Sequence, residues 1–216
     1  MKSKRLIVVS LDALSSIDFD MFSKLPNFKK FIRHAACCRQ VRSVYPSLTY
    51  PAHTSIVTGR TPAHHGIVNN ILLQPERSSP DWYWQRNYIR GTTLYDEVLK
   101  QGKHVAALLW PVTAKSEITW NLPEIFANRR WTNQILTSAA NGTVGYQLML
   151  NHRFGRLRDG IRQPALDNFV HASLKYTLKT YRPDLTLVHF TDLDTQRHHY
   201  GVHSEEAAAA IKRHDE

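Results

Sequence analysis

The run Arg5-Leu6-Ile7-Val8-Val9-Ser10-Leu11-Asp12 restricts the fold more than any other, because it is apolar at odd and even positions alike and closes on a carboxylate. Such a strand needs cover on both faces, which predicts a central strand of a parallel sheet. Leu185-Thr186-Leu187-Val188-His189-Phe190 has the same character and runs into Thr191-Asp192-Leu193-Asp194-Thr195-Gln196-Arg197-His198-His199-Tyr200-Gly201. Between the two, helix and strand patterns alternate. Residues 26–32 and 93–100 read as amphipathic helices, 104–110 as a strand and 166–180 as a longer helix. This order predicts an α/β domain with a doubly wound, mostly parallel sheet and helices on both faces. Residues 75–92 and 140–163 break the rhythm and are expected as insertions over the sheet edge, where loops commonly shape substrate pockets.

In open α/β sheets ligands collect outside the carboxyl ends of the strands, so Asp12 and the acids and histidines after Phe190 fall on one functional edge. Asp194 and His198 are four apart and share a face if that stretch is helical, a spacing that suits one Zn²⁺ or Mn²⁺. Thr49 stands just ahead of an expected helix, with Pro51 in its first turn and Gly59 at its end. The free N–H groups and positive dipole end of that helix favour a phosphate or sulfate beside Thr49. His65-Gly66-Ile67-Val68-Asn69-Asn70 reads as a turn that aims an amide at the same anion.

Taken together, these segments resemble the nucleotide pyrophosphatase/phosphodiesterase family of the alkaline phosphatase superfamily. The resemblance rests on a strand ending in Asp12, on P-x-x-T-[FY]-P-x-H…[IV]-V-T-G around Thr49, on P-x-x-H-G-I-x-x-N from Pro62 to Asn70, and on D-x-x-x-H-x-x-G from Asp194 to Gly201. It implies an alkaline phosphatase-like fold and a site with two divalent metal ions, most often Zn²⁺ and alternatively Mn²⁺. Asp12 and Thr49 would bind one ion, Asp194 and His198 the other. It also implies that Thr49 is the nucleophile of a phosphothreonine intermediate, that Asn70 donates to a phosphate oxygen, and that Tyr50 offers a face on which a base stacks. The implied substrate is a small phosphodiester or nucleotide. The family's remaining metal ligands lie in a D-H-G motif and a later His, neither found here, so the 216 residues are expected to be an incomplete, weakly active catalytic domain.

Ala13 and Arg197 stand where the family pattern has Gly, and Ala52 where it has Asn; Arg197 is expected to point into solvent. The absence of Cys or Ser at position 49, and of a following Arg, excludes a sulfatase, whereas phosphonoacetate hydrolases and phosphomutases also use Thr and stay open. A non-catalytic module that binds phosphorylated ligands is the alternative from another class. The formal charge of +10 raises nucleic-acid binding. Yet the basic residues are spread along the chain, with dense patches only at 128–131 and 153–158, and no specific nucleic-acid partner is expected. No apolar run approaches the roughly 20 residues of a membrane span. With no secretion signal and two adjacent cysteines, Cys37 and Cys38, the expected location is the cytoplasm. The oligomeric state is open. His53, His65, His199 and His203 are secondary site candidates.

Overall fold

The structure, a computed structural model, describes residues 4–216. Four strands, β1 (Leu6–Leu11), β2 (Val105–Leu108), β3 (Trp120–Leu122) and β4 (Leu185–Phe190), form one parallel sheet in the order β1-β4-β2-β3. The helices are α1 (Phe19–Phe22), α2 (Pro26–Ile32), α3 (Thr49–Thr58), α4 (Pro62–His65), α5 (Leu94–Lys100), α6 (Gln134–Ala139), α7 (Val144–Phe154), α8 (Ala165–Thr180), α9 (Asp192–Tyr200) and α10 (Glu205–Asp215).

Alternation along β2 and β4 builds two cores. Ala106, Leu108 and Val188 meet Tyr146 and Leu150 of α7 and Phe169, Val170 and Leu174 of α8. Val105, Ala107, Leu185 and Leu187 face the other way, against Val57 of α3 and Tyr95 of α5. The result is the expected three-layer arrangement, and each fully buried Leu or Val contributes about 1.5–3 kcal/mol. A third cluster, with Tyr50, Ile67, Trp84, Ile89, Val112 and Ile125, covers the start of α3.

Two expectations need correction. β4 is the strand buried along nearly its whole length; β1 lies at the sheet edge, paired with β4 alone among the described strands, and Leu6, Ile7 and Val9 are about half exposed. Residues 75–92 are irregular, with a 3₁₀ turn at Arg86–Tyr88. Residues 140–163, however, contain α7, an 11-residue helix. Tyr146, Met149, Leu150 and Phe154 repeat at three and four positions and pack on the sheet, which outweighs the glycines at 142, 145 and 155.

Candidate phosphoryl-transfer site

The site is assembled at the carboxyl ends of β1 and β4. The two strands are in register through Leu11 and Phe190, and the Asp12 amide donates to the Phe190 carbonyl at 2.9 Å, so Asp12 stands beside the start of α9. Thr49 is the first residue of α3, one position further into the helix than expected, and Gly59 ends that helix at φ 64°, which glycine adopts without penalty. The Thr49 hydroxyl donates to Asp12 Oδ2 at 3.3 Å. Asn70 is locked by accepting the Tyr50 amide on Oδ1 at 2.9 Å, which orients its NH₂ as a donor. On α9, Asp194 and His198 share a face with 3.4 Å between Oδ1 and Nε2. Asp12, Thr49, Asn70, Asp194 and His198 all line one cavity of about 260 Å³, whose lining also includes Trp82, Ile125, Phe126 and Phe169.

The N-terminus of α3 contributes fewer free donors than its position suggests. Tyr50 spends its amide on Asn70, and Pro51 has none. The NH₂ of the Asn70 side chain stands at that helix end with its oxygen already occupied. The ring of Tyr50 is fully buried, edge-on to Trp82 at 5.4 Å between centroids, so it is a core residue without a face to stack on a base.

Two residues the sequence patterns passed over dominate the charge balance. His189, fully buried in β4, sits with Nδ1 3.1 Å from Glu124 and Nε2 3.2 Å from Asp12. The Nε2 contact is off the hydrogen-bond line, so charge rather than a directed bond carries it. Burial lowers the pKa of His189, but the two carboxylates outweigh burial and push it up to about 10. Burial raises the Asp12 carboxyl, and the His189 contact and charge more than reverse that. His53 is lowered to about 3 by burial and by the neighbouring His189 charge. It is held neutral between the Thr49 carbonyl, 2.7 Å away, and Ser10 Oγ, at 2.9 Å. Burial and the charge of Asp12 raise Asp194. His65 is buried against Ser55, whereas His199 and His203 are exposed. Asp167 was also missed: its carboxylate accepts the Thr191 and Asp192 amides at 2.9–3.2 Å and so caps α9. Arg197, expected in solvent, is turned inward and paired with Asp18 at 2.5 Å. A solvated guanidinium gives way here because a buried carboxylate and a carbonyl stand within its reach.

Two carboxylates, an imidazole and a hydroxyl are the donor types that Zn²⁺ and Mn²⁺ accept. Asp194 is raised first by burial and then by the charge of Asp12, and a cation beside the two would offset both. Donor chemistry thus fits. Among the described residues, however, no three His, Cys, Asp or Glu side chains converge to hold a metal ion, and the donors stand as two pairs.

The comparisons with known proteins identify the family and the fold. The chain is 25% identical over 202 residues to human ectonucleotide pyrophosphatase/phosphodiesterase family member 1, covering 88% of this chain and 18% of that protein. It is 26% identical over 219 residues to the bovine family member 3, covering 96% and 21%. Murine ectonucleotide pyrophosphatase/phosphodiesterase 5, solved as an inactive variant with AMP, superposes with TM-score 0.62 at 17% identity over 98% of this chain and 50% of its own. Phosphonoacetate hydrolase from Sinorhizobium meliloti, solved with phosphonoacetate, gives TM-score 0.67 at 22% identity over 99% and 52%. The chain thus spans about half the length of these solved structures and about a fifth of the curated relatives. The family model described as type I phosphodiesterase/nucleotide pyrophosphatase matches residues 6–216, and the chain belongs to that family.

Proposed function

We propose that this chain carries the nucleophile half of a metal-dependent phosphodiesterase site acting on small phosphodiesters or nucleotides. The observation that carries the reading is the Thr49 hydroxyl at the start of α3, bonded to Asp12 in the same cavity as Asp194, His198 and Asn70. Asp12 with Thr49 would hold one divalent ion and Asp194 with His198 a second, Zn²⁺ or Mn²⁺. Such ions supply positive charge to the phosphoryl oxygens and lower the pKa of a bound hydroxyl.

Thr49 Oγ1 releases its proton through Asp12 Oδ2 to solvent and attacks phosphorus, the bond from phosphorus to the leaving oxygen breaks, and the leaving oxygen takes a proton from solvent. The product is a phosphothreonine ester, which water later cleaves at phosphorus to restore the hydroxyl. Asp12 Oδ2 accepts the Thr49 hydroxyl hydrogen bond and so orients the hydroxyl. Asn70 donates its NH₂ to a non-bridging oxygen, and the α3 dipole favours the anion. The wall of Trp82, Ile125, Phe126 and Phe169 supports diesters over monoesters, since only a diester brings a second organic group to cover it.

Hydrolysis of the p-nitrophenyl ester of thymidine monophosphate with added Zn²⁺, beside p-nitrophenyl phosphate and phosphonoacetate, tests the reading. The diester is expected to be preferred, and Thr49→Ala to abolish its turnover with the fold kept. Activity retained in Thr49→Ala removes the nucleophile assignment; faster turnover of the monoester or of phosphonoacetate replaces the substrate class. With two donors per ion, the 216 residues alone are expected to bind Zn²⁺ loosely and turn over slowly, and tight uptake of two ions in equilibrium dialysis would contradict this. Exposed thiols at Cys37 and Cys38 support a reducing compartment, the cytoplasm in our reading. Among the described residues no helix is long and apolar enough to cross a membrane.

A further inference from the structure

Asp12 and Asp194 reach the site from different elements; the Asp12 amide is tied to the Phe190 carbonyl at 2.9 Å, and beyond that bond the loop after β1 rests on α9. One side chain spans the two. Arg197, on α9 between Asp194 and His198, donates one guanidinium nitrogen to the Ala13 carbonyl and the other to Asp18 Oδ1 at 2.5 Å. Its side chain is 9% exposed and that of Asp18 8%. Arg197 Nε has no partner, so the fork is anchored by these two oxygens alone among the described residues.

One anchor touches Asp12 directly, and the other holds the turn that follows it. The Ala13 amide donates to Asp12 Oδ1 at 3.0 Å, so the Ala13 peptide touches the candidate ligand at one end and Arg197 at the other. Asp18 also accepts the Ser15 amide at 2.9 Å, closing the turn that follows. Ala13 itself lies at φ 63°, a conformation that a residue with a Cβ holds only under outside constraint. A planar fork satisfied by a carbonyl and a carboxylate is a rigid constraint of the required kind. The two positions at which this sequence departs from a glycine pattern, 13 and 197, thus meet in one contact.

We infer that Arg197 is a positioning residue, a clasp that ties the Ala13 peptide to α9 and thereby fixes Asp12 relative to Asp194 and His198. The inference rests on the reading that these acids serve one two-ion site. It extends that reading to a residue that touches neither the substrate nor an ion.

Arg197→Ala, Arg197→Lys and Arg213→Ala test it. Arg213 anchors the same helix elsewhere, through Asp192 at 2.7 Å, and serves as the structural control. Amide exchange across residues 12–18 is followed by mass spectrometry, Co²⁺ uptake by equilibrium dialysis, and melting temperature by circular dichroism. In Arg197→Ala, exchange across 12–18 is expected to rise about tenfold as local opening becomes easier. Co²⁺ affinity should fall about tenfold, the usual scale for losing a group that orients a ligand. Arg197→Lys should recover part of each, since one ammonium cannot match the fork. Arg213→Ala should lower the melting temperature without changing exchange across 12–18. Unchanged exchange in Arg197→Ala, or an equal rise in Arg213→Ala, overturns the clasp. A rise in exchange with unaltered Co²⁺ affinity overturns its bearing on the site. Should the wild-type chain take up no Co²⁺ at millimolar concentration, the two-ion reading fails, and the exchange result alone decides the clasp.

Discussion

Tyr50 has no exposed surface, although it follows the candidate nucleophile directly. Its ring packs with Ile67, Trp84 and Val112, so Tyr50→Ala is expected to cost about 3–5 kcal/mol of stability, as aromatic truncations in cores do. Chemical denaturation measures this, and a variant of unchanged stability with a raised KM would return Tyr50 to the substrate. The contrast with Thr49 shows what the sequence could convey at this scale. Asp12, Thr49, Asp194 and His198 were legible because each lies at a strand end or on a helix whose local pattern fixes its placement. Glu124 and His189 were not, because their contact joins positions 65 apart and only the packed sheet brings them together. The inward turn of Arg197 depended likewise on Asp18, 179 positions away.

Helix α5 shows how a local signal becomes an energetic one. Thr93 caps it and accepts the Asp96 amide at 3.2 Å, while Asp96 accepts the Thr93 amide at 2.8 Å and pairs with Arg86 at 2.5 Å. Burial raises the Asp96 carboxyl, and the bonds from Arg86 and Thr93 more than offset it, leaving its pKa below the usual 3.8. A carboxyl depressed on folding stabilises fully above its unfolded pKa and loses that contribution as pH falls through the folded value. Asp96→Ala is therefore expected to cost about 1–2 kcal/mol at neutral pH, the scale of a lost cap with its charged bond. The difference from wild type should shrink below pH 3.8, and a gap independent of pH down to 2 would show that Asp96 acts by packing. The boundaries of α2, α5 and α8 were legible within a residue or so from their apolar spacing, helped by the Pro26 start of α2 and the Thr93 cap of α5. Helix α7 was hidden by its flanking glycines, and its apolar face acquires meaning only against β2 and β3.

On the scale of the whole molecule, the sheet order leaves the β1 edge unpaired among the described strands. Leu6, Ile7 and Val9 are 50%, 45% and 52% exposed there, an apolar edge of the kind that recruits further strands. The 216 residues are expected to self-associate with rising concentration in sedimentation velocity, and Val9→Lys to suppress it. A wild-type chain that stays monomeric at high concentration would show the edge to be protected. The parallel topology was legible from the alternation of elements. The position of β1 was not, because an apolar strand reads alike at the centre of a sheet and at an uncovered edge.

The pairing of Leu6 with Leu185 has a kinetic consequence. The two strands whose ends carry Asp12 and the α9 acids lie at opposite ends of the sequence, and nearly the whole intervening chain must be closed into a loop before they meet. Contacts of such long range form late and slowly in folding. During synthesis the segment from β1 through α3 leaves the ribosome with Asp12 and Thr49 but without β4 and the acids of α9. Assembly of the candidate site therefore waits until β4 and α9 have emerged, and until then β1 is an open template for whatever strand reaches it first.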